Sequence, residues 1–219
     1  TAYYLISSIA SFLSIVLPFS FFLFFGKRKL SDTVLVEKNG VLNSVLLVFA
    51  GLAVSVLMNI PANLISQLLE GAGLNGDANT ADLLAMTPVQ ALTMFVSVVL
   101  VAPVTEEFAF RSVTTAVMRR WGDWPAVIFS ALIFGMAHYS IQSLPVVLMA
   151  GFVMALLYVR TRNIWVNIFV HMLNNLLATL PIALEGLVGA DAEQFADVYR
   201  VRLGADCACG AAYPQFHRS

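Results

Sequence analysis

Val96-Ser-Val-Val-Leu-Val-Ala-Pro-Val-Thr-Glu-Glu-Phe-Ala-Phe-Arg111 puts two adjacent carboxylates, Glu106 and Glu107, inside a stretch that otherwise partitions into lipid. Val96–Val104 leads in without a charge, Phe108, Ala109 and Phe110 follow, and Arg111 closes the run. A charge at membrane depth is costly unless it is paired or hydrated, so ionisable side chains there are functional candidates.

The rest of the chain supports reading this stretch as membrane-embedded. Hydrophobic residues make up 59% and charged residues 11%, against about 45–50% and about 25% in soluble domains. Mean hydropathy is +0.83. A soluble fold has nowhere to hide that much apolar surface. The sequence predicts an all-α, polytopic transmembrane helical bundle of about six spans. The net charge of −1 says nothing about nucleic acid, but the sequence has no basic patch for it, and the bilayer is the expected partner.

Working outward, Tyr3–Phe25 is long enough to span, and Lys27-Arg-Lys29 follows it. A signal peptide carries its positive charge first, so this run reads as a retained helix, kinked at Pro18. Val41–Ile60 is the second span. Pro61–Thr87 reads as a long loop without Lys or Arg, in which Leu64, Ile65, Leu68 and Leu69 have the spacing of an interfacial helix. A third helix is expected from Pro88 through Pro103 to Met118, then Pro125–His138, Leu144–Val159 and Ile164–Ala183. Trp121 and Trp124 suit a membrane interface. Three regions follow: 1–87 with two helices and an extracytoplasmic loop, 88–183 as the chemical core, and 184–219 as a partly disordered tail. Cys207 and Cys209 in that tail read as free thiols, since a lone CxC is a weak metal signal.

Lys27–Lys29, Arg119/Arg120 and Arg160/Arg162 occupy alternate connections. The positive-inside rule then places them in the cytoplasm and the N-terminus outside a cell membrane of multi-pass topology.

Glu107 and Arg111 are four apart, on one helical face, and read as an ion pair. Glu106 points about 100° away and has no local partner, which makes it the better candidate for chemistry. His138 interrupts a second apolar run, with Phe134 one turn before it as a pocket wall. His171 and Asn175 interrupt a third and share a face. There is no HExxH, no serine elbow around Ser112 or Ser130, and no GxGD-type aspartate pair. Glutamate with histidine either holds a divalent metal such as zinc, with Glu106, His138 and His171 as ligands, or activates water directly as a base. A second histidine and an asparagine can donate to a developing oxyanion.

At these residues the sequence resembles the CPBP family of intramembrane proteases, the group of CAAX-prenyl endopeptidases, bacteriocin-processing proteins and Abi-type membrane proteins. The family pattern EExxxR, FxxxH, HxxxN is met by Glu106-Glu107-Phe-Ala-Phe-Arg111, Phe134-Gly-Met-Ala-His138 and His171-Met-Leu-Asn-Asn175. The resemblance spans about Pro88–Ala183 and implies a prokaryotic-type glutamate-dependent endopeptidase acting on a membrane-associated peptide or protein, prenylated CAAX-type or leader-peptide. It implies that Glu106 and His138 activate water, that His171 and Asn175 form the oxyanion site, and that Glu107 and Arg111 support them. Two other readings compete. A non-proteolytic immunity or scaffold protein would use the cluster to bind a peptide or protein partner. A transporter or proton relay would use a Glu/His chain, but the sequence has no internal repeat.

Overall fold

The computed structural model describes residues 2–74, 88–141 and 143–188. These fold into helices: α1 Ala2–Phe25, the short α2 Leu30–Thr33, α3 Val41–Gly71, a composite α4 over 88–121, α5 Asp123–Met136, α6 Leu144–Thr161 and α7 Ile164–Val188. Three stretches, Val41–Gly71, Leu92–Trp121 and Leu144–Thr161, are long and apolar enough to cross a membrane, and three shorter apolar helices accompany them. The expected all-α membrane bundle is what the chain forms. The 14 residues of α5 rise only about 21 Å, short of the ~30 Å hydrocarbon core. Its Ala126, Val127, Ser130, Ala131, Phe134 and Gly135 are buried against its neighbours instead.

Three expectations are corrected. The second span does not end at Ile60: α3 runs on through Pro61 to Gly71. Proline removes one N–H, but the other backbone groups would find no water in lipid and stay in the helix. Ala62, fully buried just after the proline, ties that continuation to the bundle. His138 is not the last residue of a helix. α5 ends at Met136, His138 and Tyr139 turn back onto the Gly135 and Met136 carbonyls, and Tyr139 takes a left-handed φ of 52° that ends the helix. At the other end, α7 continues to Val188, so residues 184–188 of the expected tail are helical. The loop over 75–87 and the tail beyond 188, with Cys207 and Cys209, lie outside the described residues.

Helix α5 packs along α6, α6 along α3, and α3 and α4 both along α7. The centre is apolar: Phe110, Phe134, Val147, Ala150, Met154 and Val170, with Phe19 of α1 leaning edge-on against Phe110. Small residues set the close approaches. A Cβ on Gly51 of α3 would come within 2.9 Å of Leu157 and 3.0 Å of Val170, and one on Gly151 of α6 within 2.9 Å of the Phe134 ring. Helices in lipid associate through such packing, because lipid supplies no hydrophobic drive between them.

At one end of the bundle two basic connections are stitched together. Val36 bridges Asn163, Glu37 N donates to the Arg162 carbonyl (2.9 Å) and Ile164 N to the Leu35 carbonyl (3.0 Å). Asn163 Nδ2 donates to the Glu37 carbonyl (2.8 Å) and Asn39 Nδ2 to the Thr161 carbonyl (3.2 Å). The buried Tyr158 hydroxyl accepts from Leu35 N and donates to the Thr33 carbonyl. Arg162 and Glu37 add an ion pair at 2.8 Å on the rim.

Candidate active site

The glutamate pair sits where α4 departs from α geometry. Val96–Val101 and Glu107–Thr114 are wound as π-helix, with Ala102–Glu106 between them. Such wide turns inside α-helices recur at functional sites. Side chains support this one: the Thr114 and Thr115 hydroxyls donate to carbonyls five residues back, Ala109 (3.0 Å) and Phe110 (3.2 Å). Ser130 of α5 also donates to the Phe110 carbonyl, at 2.7 Å. Ser130 and Ser112 are fully buried.

The first wide turn leaves one carbonyl for a side chain to take. Ala102 N–H is taken by the Ser97 carbonyl, and Pro103, next in register for the Val98 carbonyl, has no N–H to give. Asn175 of α7 fills the gap, donating Nδ2 to Val98 O at 2.9 Å. Asn175 therefore ties α7 to the turn before the glutamates and keeps its second amide hydrogen for another acceptor.

Both carboxylates reach one imidazole. His171 Nδ1 lies 2.9 Å from Glu107 Oε1, and its Nε2 lies 3.7 Å from Glu106 Oε2. A carboxylate only accepts, so Nδ1 is the nitrogen that donates to Glu107, and Nε2 is the one turned toward Glu106. His138 is fixed in a similar way: its Nδ1 is 2.9 Å from the Phe134 carbonyl, which only accepts, so Nδ1 donates there and Nε2 is left for another partner.

Glu107 and Arg111 form the ion pair that their spacing predicts, with Nε 3.3 Å from Oε2 and neither side chain exposed at all. Arg111 also sends Nη2 toward the Gly151 carbonyl (3.4 Å) and lays its guanidinium 4.2 Å from the Phe134 ring centre. The face of an aromatic ring attracts a cation most when water is excluded. Phe134 is thus more than a wall. It touches Arg111 on one side and stands edge-on to both His138 (4.8 Å between ring centres) and His171 (5.8 Å). All seven residues singled out in the sequence fall within this one neighbourhood of α4, α5 and α7. Glu106 meets His171 here, whereas the resemblance couples it to His138.

Sequence reasoning missed Asn167. It is fully buried, and its Nδ2 donates to Glu107 Oε2 (3.2 Å) and to the Met154 carbonyl (2.6 Å). A signal was present: Asn163, Asn167, His171, Asn175 and Thr179 recur every four residues, a polar stripe down an apolar helix.

Glu106, His138 and His171 do not assemble here as an ion-holding triad: no group of three His, Cys, Asp or Glu side chains has that arrangement among the described residues.

Comparison with known proteins points the same way as the motifs. Residues 88–177 match the family model described as "Type II CAAX prenyl endopeptidase Rce1-like", a stretch that contains every residue from Glu106 to Asn175 discussed above. The chain is also 31% identical over 140 residues to the Bacillus subtilis (strain 168) protein named "Putative membrane peptidase YdiL". That similarity covers 64% of this chain and 57% of the relative, so it spans little more than half of the relative's length. No solved structure matches the chain.

Proposed function

We propose that the protein is an intramembrane endopeptidase in which Glu106 activates water without a covalent enzyme intermediate. The observation that carries this reading is the single imidazole between two carboxylates. Glu107 fixes the His171 ring through Nδ1, and Nε2 faces Glu106. With the ring neutral, Nε2 and the Glu106 carboxylate are two acceptors 3.7 Å apart, and a proton donor beside them serves both. A water beside them can donate to each and so be turned into a nucleophile.

The steps balance. Water oxygen attacks the peptide carbonyl carbon, and its proton passes to Glu106 and on to His171 Nε2. The resulting imidazolium is stabilised by Glu107 and now donates to the oxyanion, together with the remaining Asn175 N–H. The tetrahedral centre collapses, the C–N bond breaks, and the imidazolium proton goes to the leaving amine. His138 Nε2, an acceptor on the other flank of Phe134, assists in orienting the water. The membrane-associated substrate is of prenylated CAAX or leader-peptide type. The basic connections face the cytoplasm, as positive-inside topology requires.

The test is cleavage of a membrane-peptide library, prenylated CAAX peptides included, by detergent-purified wild type and Glu106→Ala, each with and without chelator. The reading expects cleavage by wild type alone, and the chelator arm reports on metal. Equal cleavage by Glu106→Ala would overturn the mechanism. No cleavage by either, with the phenotype in cells unaffected by Glu106→Ala, would favour an immunity or scaffold protein.

A further inference from the structure

Asn167 belongs to none of the three motifs, yet it holds the carboxylate that holds the histidine. Its side chain lies among acceptors: the Glu107 carboxylate and the Met154 carbonyl. Neither can donate, so the amide must turn its NH2 toward them. Its Oδ1 is then left buried with no hydrogen-bond partner among the described residues. A residue placed only to fill space would not carry that unsatisfied oxygen; leucine has the same branched outline without it. What asparagine supplies is a pair of donors that bridge α6 and α4 at one oxygen of Glu107.

The two oxygens of Glu107 are divided. Oε2 takes Asn167 and Arg111, and Oε1 is left to His171. Arg111 alone is an incomplete clamp, because neither its Nη1 nor its Nε, 3.3 Å from Oε2 as an ion pair, has a hydrogen-bond partner among the described residues. Met154 belongs to α6, so the Asn167 bridge also sets the distance between α7 and the helix behind it.

We infer that Asn167 is a positioning residue, one that commits Glu107 Oε1 to His171 Nδ1 and thereby keeps Nε2 turned toward Glu106. The inference rests on the catalytic role proposed above for His171. Without Asn167 the carboxylate is free to rotate about its Arg111 contact, and the imidazole then samples both tautomers. Misplacing a catalytic group by about 1 Å costs on the order of a hundredfold in rate.

The experiment has two readouts on Asn167→Leu. Full-length protein labelled with 15N-histidine, with His138 and His217 assigned from single variants, gives the state of His171 by NMR. Wild type should show one protonated and one unprotonated ring nitrogen for His171. In Asn167→Leu the two resonances should move toward each other. On a peptide that wild type cleaves, kcat should fall about tenfold or more with KM little changed, and Asn167→Gln, which keeps both donors, should restore part of it. Asn167→Ala serves the same readouts if the leucine variant does not fold. An unchanged His171 resonance pair, or an unchanged kcat, overturns the inference. If wild type cleaves nothing, the protease reading fails on its own, and the His171 resonances still decide what Asn167 does.

Discussion

Among the described residues, two polar clusters interrupt the apolar bundle, and they are built on opposite plans. The one at the bundle end joins 33–39 to 158–164, and its parts close on one another. The Tyr158 hydroxyl is used as donor and acceptor, Asn163 and Asn39 cap carbonyls, and the Glu37–Arg162 pair is about half exposed on the rim. The interior cluster of Glu106, Glu107, Arg111, Asn167 and His171 is buried more deeply and closes less completely. His171 Nε2 and Glu106 Oε2 face each other at 3.7 Å, and Arg111 Nε and Nη1 and Asn167 Oδ1 go without hydrogen-bond partners among the described residues. Polarity at the rim costs little and fastens chain to chain. In the interior the same chemistry is expensive, and under the proposed function the facing Glu106–His171 pair is what a water uses.

That contrast can be broken by variants placed on either side of it. The largest effect is expected at the interior cluster. His171→Gln keeps a donor for Glu107 but loses the ring that faces Glu106, so initial cleavage rates should fall by about 10²–10⁴ while circular dichroism stays that of the wild type. Arg111→Met removes the cation and strands a buried carboxylate. It should lower resistance to SDS unfolding by about 3–5 kcal/mol, and adding Glu107→Gln should recover part of that stability without activity. At the bundle end Tyr158→Phe leaves Leu35 N without its acceptor, a loss of about 1–3 kcal/mol by the same assay with cleavage retained. The smallest change is Glu37→Gln on the rim, where an exposed pair contributes about 0.2–1 kcal/mol; the unfolding midpoint should barely move, and less so in high salt.

The two clusters also differ in how far the sequence reveals them. The interior one announces itself because each member is a polar letter in an apolar run, and helical spacing pairs Glu107 with Arg111 and His171 with Asn175. Glu106 and His171 are different: they meet across two wide turns in α4, whose carbonyls are taken by Asn175, Ser130, Thr114 and Thr115 in contacts that no periodicity encodes. Asn167 escaped because one asparagine on a helix reads as a solvated or capping residue until its partners are known. The bundle-end cluster is invisible in the sequence, since Tyr158 and Leu35 are separated by 123 positions. Pro61 misled in a simpler way. In water it ends a helix; in lipid, with Ala62 packed behind it, the helix goes on.

The most direct test sets one residue from each cluster side by side: cleavage and thermal midpoint measured on the same purified preparations of Glu106→Gln and Tyr158→Phe. The account predicts a crossing. Glu106→Gln should be inactive with a midpoint near that of wild type, and Tyr158→Phe should be active with a lower one. An active Glu106→Gln, or activity that simply follows the midpoint in both variants, would contradict the claim that the interior cluster exists for chemistry.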